Sequence, residues 1–221
     1  MKFISSSNDL SVYLDLNIAK GIPIKNISID TRTIKKDSLF IAIKGDKFDG
    51  NDFVEEAFER GANLAIVDNK KLIKIRNKNI IYVKNTIGAL KKISENIIKK
   101  YNGNVIAITG SNGKTTTTNI IANSLTNTSK TIENYNNEIG MPLSIINASP
   151  KSKNIIIEIG AAKAGDINYL SKILKPLIGV ITNIGNSHLE TLKNINGVLR
   201  VKSEVVNNIK KNGYLLSLIH I

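Results

Sequence analysis

The sequence predicts an α/β protein: a small mixed α/β N-terminal domain followed by an incomplete parallel-sheet central domain of the phosphate-loop type. Three observations predict it. Short apolar runs alternate with helical patterns, which favours parallel strands covered on both faces. The apolar run 105–109 leads into Gly110-Ser111-Asn112-Gly113-Lys114-Thr115, then into a segment with Ile120, Ile121 and Leu125 on one helical face. Two further buried-strand patterns, at 155–157 and 177–181, run into Glu158 and into Thr182-Asn183. Open parallel sheets bind ligands at such strand ends.

The elements follow in order. Residues 1–20 are weakly patterned. Ile27 and Ile29 alternate with Ser28 and Asp30, a short strand entering the turn Asp30-Thr31-Arg32. Residues 39–43 read as a buried strand and Lys44-Gly45-Asp46 as a turn. A helix follows, with Asp52 as its N-cap, Phe53, Ala57 and Phe58 inside, and Gly61 closing it. Strands are expected at 64–67 and 80–83, and an amphipathic helix over 87–98. The polar break at 99–104 sets the expected boundary between domains 1–100 and 101–221. Beyond the phosphate loop, 136–142 is turn-rich and 198–209 reads as helical.

Bulk properties exclude several classes. The 221 residues are 42% hydrophobic and 22% charged, as in soluble globular proteins. Absence of cysteine excludes disulfides and thiolate metal sites. No apolar run is long enough to span a bilayer. The N-terminal stretch lacks the apolar core of a signal peptide, so a cytoplasmic location is expected. The net charge of +13 comes almost wholly from lysines in dispersed pairs such as Lys35-Lys36 and Lys210-Lys211. Aromatics are sparse, so this charge reads as solvated faces rather than a nucleic-acid surface.

The glycine-bearing loop has a chemical logic. Glycines let backbone N–H groups approach an anion, and the helix start adds unpaired N–H groups and the positive end of a dipole. Lys114 can reach β- and γ-phosphates, and the Thr115 hydroxyl can ligate Mg²⁺. The usual first glycine of the motif is replaced by Ile108. Glu158, His188 and Lys202 form a second constellation. A carboxylate and an imidazole can ligate a divalent ion, although Mg²⁺ prefers oxygen. The plainer readings are a solvated carboxylate, a satisfied histidine and a surface lysine.

These residues resemble the Mur ligase family. Residues 28–53 are similar to its uridine-nucleotide domain, with the Asp-Thr-Arg and Phe-Asp-Gly signatures. ITGSNGKTTT (108–117) resembles the family's own phosphate loop, which lacks the first glycine. NNEIGMP (136–142), IIEIGA (156–161), TNIGNSHLE (182–190) and VKSE (201–204) follow in the family's order.

The resemblance implies an ATP-dependent amide ligase of peptidoglycan precursor synthesis that works through an acyl phosphate. The variants present favour members that add D-alanyl-D-alanine to UDP-N-acetylmuramoyl-tripeptide. It implies ATP and Mg²⁺, no nucleic acid, no membrane insertion, and a monomer. Gly110, Ser111, Asn112, Gly113, Lys114, Thr115 and Thr116 would hold ATP. Thr115, Glu158, His188 and a carbamylated Lys202 would hold metal, with Lys114, Lys202 and His188 catalytic. Ser28, Asp30, Thr31, Arg32, Asp49 and Gly50 would bind the UDP-substrate, and Asn136, Asn137 and Asn183 would line the cleft.

The chain departs from the family pattern in three ways. Asn51 replaces the histidine after Phe-Asp-Gly, and Ala162-Lys163 replaces an asparagine-containing pair, both bearing on substrate contacts. The family's C-terminal domain has no counterpart, and 217–221 do not resemble the family's continuation. The chain is therefore expected to be a fragment without turnover of its own. The alternatives are a sibling ligase joining another amino acid and a truncated, non-catalytic nucleotide-binding module. The residues around Phe48-Asp49-Gly50 argue against a folylpolyglutamate-type ligase.

Overall fold

A computed structural model describes residues 2–217. Residues 218–221, most of the segment expected to leave the family pattern, lie outside the described residues. The chain divides into two compact units, Met1–Ile93 and Ser94–Ile221.

The first unit opens with α1 (Ser7–Leu14), which the weak pattern of residues 1–20 did not reveal. Its signal is local. Ser6 caps the N-terminus and Asp9 reaches back to the Ser6 N–H at 3.0 Å, a reciprocal capping box. Four strands then form one parallel sheet in sequence order: β1 (Asn26–Ser28), β2 (Ser38–Ile41), β3 (Ala62–Val67) and β4 (Ile80–Tyr82). Between β2 and β3 lies α2 (Val54–Glu59), preceded by a 3-10 turn, Gly50–Phe53. Asp49, not Asp52, caps that turn: its carboxylate accepts the Asn51 N–H at 2.9 Å. The entry is tighter than an α-helix, so the capping position falls three residues earlier. Phe40, Ala42, Val54, Ala57, Phe58, Ala65 and Val67 form the core between helix and sheet. β2 is buried at every position, as a strand covered on both faces must be. The units join within α3 (Thr86–Lys100).

The second unit holds a five-stranded parallel sheet in the order β6-β7-β5-β8-β9. Along the chain run β5 (Asn104–Thr109), α4 (Lys114–Ser124), β6 (Thr128–Lys130), α5 (Gly140–Asn147), β7 (Asn154–Glu158) and α6 (Asp166–Leu174). They are followed by β8 (Ile178–Ile181), the short α7 (Leu189–Leu192), α8 (Ile195–Ser203) and β9 (Tyr214–Ser217). A 3-10 turn, Glu204–Asn208, ends the expected 198–209 helix early. Ile106, Ile108, Ile156 and Val180 pack with Ile121 and Ala122 of α4 to form this unit's core. β5 is central, and the chain places β7 on one side of it and β8 on the other. That reversal opens a crevice beyond the carboxyl end of β5. β9 is an edge strand with Tyr214, Leu215 and Leu216 exposed.

Candidate active site

Gly110 begins the loop after β5 with φ +149, and a Cβ there would meet the Thr182 Oγ1 at 2.0 Å. The loop therefore lies hard against the start of the β8 exit segment. Thr182 Oγ1 donates to the Asn112 carbonyl at 2.6 Å. The Asn112 N–H donates to Asn183 Oδ1 at 2.8 Å, and the Ser111 N–H to the Asn183 carbonyl at 3.2 Å. The Ser111 hydroxyl donates to the Gly185 carbonyl at 3.0 Å and meets Ser187 Oγ at 2.9 Å. Asn183 thus holds the loop in place from behind.

Gly113 turns the chain into α4 with φ +77, and a Cβ there would meet nothing within 4 Å. The first intrahelical bond of α4 is Thr117 N–H to the Gly113 carbonyl at 2.9 Å, and no side chain caps the helix. The amides of Lys114, Thr115 and Thr116 therefore point into open space at the positive end of the helix dipole, an arrangement that suits phosphate. Lys114 Nζ rests on the Gly110 carbonyl at 2.9 Å and the Ser111 carbonyl at 3.4 Å, within the loop that a phosphate would fill.

Thr115 and Asn136 converge on Glu158. The Thr115 hydroxyl donates to Glu158 Oε2 at 2.8 Å, and Asn136 Nδ2 donates to Oε1 at 2.8 Å. Glu158 is 2% exposed and makes no ion pair among the described residues. A buried carboxylate held only by neutral donors lacks its counter-charge, so the donor set fits a divalent cation. Among the described residues no three His, Asp or Glu side chains converge on one point. Hydroxyl, water and phosphate oxygens would have to complete the shell, as Mg²⁺ prefers.

A cleft of about 880 Å³ opens beside the loop. Its walls include Gly110, Ser111, Lys114, Asn136, Asn137, the 160–166 segment, His188 and Lys202. Lys202 is 1% exposed. Burial, with help from the charge of Lys114, pulls its ammonium down to about 8, against the opposing pull of Asp166. The amine is still mostly protonated at neutrality, but it reaches its neutral, nucleophilic form far more readily than an ordinary lysine does. His188 is exposed, with φ 52, and its carbonyl accepts the Thr191 and Leu192 amides at 3.1 and 2.9 Å. Asn137 lines the cleft while its carboxamide accepts the Gly140 N–H at 2.8 Å, steering the entry to α5.

The residues expected to bind a UDP-substrate lie in the first unit, after β1 and β2. Asp30 accepts the Arg32 N–H at 2.9 Å and pairs with its guanidinium through Nε and Nη2, at 3.0 and 2.6 Å. The Arg32 guanidinium holds the Asp30 carboxyl below its ordinary range. Ser28 Oγ meets Thr33 Oγ1 at 2.6 Å. Thr31 is nearly buried, its hydroxyl 3.2 Å from Glu56 Oε1. Gly50 is fixed by its surroundings, since a Cβ would meet the Ile43 backbone at 2.5 Å. Asn51 Nδ2 donates to both Asp49 at 2.7 Å and Asp68 at 2.8 Å, while its buried Oδ1 has no hydrogen-bond partner among the described residues.

Residues 108–220 match the Mur ligase middle domain, and residues 23–107 the family's catalytic domain. The chain belongs to the Mur ligase family. It is 36% identical over 196 residues to the UDP-N-acetylmuramoyl-tripeptide--D-alanyl-D-alanine ligase of Bacillus subtilis, covering 87% of this chain and 43% of that one. A Buchnera aphidicola (subsp. Baizongia pistaciae) ligase of the same name is 39% identical over 96% of this chain and 47% of its own. Among solved structures, MurF from Acinetobacter baumannii superposes with a TM-score of 0.84 at 30% identity, over 94% of this chain and 47% of that one. Thermotoga maritima MurF in complex with ADP gives 0.78 at 31% identity, over 90% of this chain and 47% of that one. The chain thus spans less than half the length of each of these four relatives.

Sequence reasoning missed several residues of this Mur ligase site. Asp166 and Ser187 line the cleft beside Lys163, and Glu204 braces the 165–168 segment. A helix signal was present for Asp166: Gly165 followed by Ile167, Leu170, Ile173 and Leu174 at helical spacing. Glu204 closes the VKSE segment, but its bonds to Gly165 and Asn168 had no local signal, because those partners lie far upstream in the chain.

Proposed function

We propose that this chain carries the UDP-substrate and ATP-binding portions of a ligase that joins D-alanyl-D-alanine to UDP-N-acetylmuramoyl-tripeptide. On this reading residues 1–100 take the UDP-substrate and residues 101–221 take ATP. The observation that carries it is the open helix start at 113–116, with Lys114 poised in the loop and Thr115 bonded to buried Glu158 at 2.8 Å.

Bound ATP supplies the γ-phosphoryl group that activates the substrate carboxylate as an acyl phosphate, and Mg²⁺ offsets phosphate charge. The amides of Lys114, Thr115 and Thr116 would grip phosphate oxygens. Lys114 would leave the Gly110 carbonyl and neutralise charge that develops during transfer. Thr115 and Glu158 would hold Mg²⁺, with Asn136 keeping the carboxylate aimed. Lys202, whose neutral form is reached near pH 8 rather than above 10, would take up CO₂ with loss of a proton and become an oxygen ligand beside His188. Arg32 and Asp49 would meet the anionic and donor groups of the UDP-substrate.

Calorimetric titration with ADP and ATP, with and without Mg²⁺, tests the nucleotide half. Binding that strengthens with Mg²⁺ in the wild type, and loses that dependence in Glu158→Gln, supports the reading. A wild type that binds neither nucleotide overturns it. Titration with UDP-N-acetylmuramoyl-tripeptide tests the other half, with Arg32→Met as the control.

A further inference from the structure

The α6 N-terminus is held by a side chain from another element. Glu204, just after α8, accepts the Gly165 N–H at 2.8 Å through Oε1 and the Asn168 N–H at 3.0 Å through Oε2. Gly165 enters α6 with φ +92, and no side chain of α6 itself caps that end. Both carboxylate oxygens are thus committed to backbone amides at the positive end of the helix, the strong form of such a bond. Asp166 completes the lock, its Oδ2 accepting the Ala162 and Lys163 amides at 2.8 and 2.9 Å. One turn on, Asn208 donates to the Asn168 side chain and the Ser171 hydroxyl, each at 2.9 Å. The Thr191 hydroxyl donates to the Ala162 carbonyl.

The braced segment is a wall of the cleft that also contains Lys202, two residues before Glu204. Lys202 stays 1% exposed although it borders a cleft of about 880 Å³. That combination requires its neighbours to be held in place.

We propose that Glu204 is a positioning residue for Lys202: its carboxylate staples the start of α6 to the helix bearing Lys202 and keeps the 161–166 wall closed over that amine. The functional meaning rests on the reading of Lys202 given above, but the geometry can be tested apart from it. Opening the wall admits water and reagents to Lys202 and leaves the phosphate loop, braced by Asn183, as it was.

The test is competitive acylation of the full chain with acetic anhydride in CO₂-free buffer, read by peptide mass spectrometry with exposed Lys175 as internal standard. In the wild type Lys202 reacts far more slowly than Lys175. Glu204→Ala, which removes both charge-assisted bonds, raises the Lys202/Lys175 ratio by about tenfold or more. Glu204→Gln keeps one acceptor oxygen and falls between. ADP affinity stays within about twofold of wild type in Glu204→Gln, since that seat does not use Glu204. An unchanged acylation ratio in Glu204→Ala, with faster hydrogen exchange at Gly165 and Asn168, overturns the proposal and leaves Glu204 a helix cap. If Glu204→Ala does not fold, the Glu204→Gln ratio decides, and a wild-type value there overturns the proposal. A separate ¹³C-bicarbonate NMR experiment on the wild type looks for the Lys202 carbamate. Its absence overturns the role assigned to Lys202 and leaves the acylation result to judge Glu204.

Discussion

The turn after β1 and the loop after β5 both follow a parallel strand, and they are built on opposite plans. The first closes on itself: Asp30, Arg32, Ser28 and Thr33 satisfy one another through side chains. The second spends its side chains on bracing and leaves a row of helix-start amides open. An open row of donors declares its ligand, because few things other than an anion fill it. A self-satisfied turn declares only its shape. The phosphate loop could therefore be read from physical chemistry alone, whereas the assignment of residues 28–32 to a UDP-substrate came from resemblance.

The largest effect that would sharpen this contrast is Gly110→Ala. Its Cβ would strike Thr182 Oγ1 at 2.0 Å, in a backbone region that L-residues rarely adopt. It should cost about 3 kcal/mol or more by chemical denaturation. Gly113→Ala has space around it and only the strain of φ +77, so about 1 kcal/mol is expected. Equal losses in the two variants would break the account of a braced back and an open front.

Next comes Lys202→Met. Both states of the wild type are protonated below pH 8, so the folded state carries the full cost of a buried ammonium. As pH rises from about 8 toward 10.5 the folded state sheds its proton first, and wild-type stability climbs. Lys202→Met should be more stable than wild type at pH 7 by a few kcal/mol, about 1.4 per pKa unit of depression. The advantage should fade by pH 10, measured by urea melts in CO₂-free buffer. A gap that does not change with pH would refute the buried-amine description.

A smaller effect is expected of Lys114→Ala. Its ammonium is held only by loop carbonyls, so thermal stability should hardly change while ADP affinity falls by about tenfold to a hundredfold in calorimetry. The smallest is Arg32→Met. The guanidinium is exposed and its pair with Asp30 is local, so the melting temperature should stay close to wild type. A marked drop would show that the first turn supports its unit and is not only a surface ornament.

Most strands and the phosphate loop were legible because each announces itself within a few residues, but β6 (Thr128–Lys130) and β9 (Tyr214–Ser217) were not expected. α1 was not, since its evidence is one capping box rather than a periodic face. The tight 3-10 entry at Gly50–Phe53 displaced the expected cap from Asp52 to Asp49. The Thr115–Glu158 and Glu204–Gly165 bonds join residues 43 and 39 positions apart, beyond any local pattern. Position along the chain and family resemblance pointed to Glu158 and Lys202 as candidates; only the fold shows one buried against neutral donors and the other buried as an amine.

The edge strand β9 has a consequence at the bench. Among the described residues it is the outermost strand of its sheet and carries three exposed apolar side chains, a surface against which another copy can pack. The net charge of +13 keeps copies apart while the solution is dilute in ions. Added salt shortens the reach of that repulsion to about 8 Å at 0.15 M and less beyond. The polypeptide should therefore stay dispersed at low ionic strength and turn cloudy as salt is raised, the reverse of ordinary salting-in.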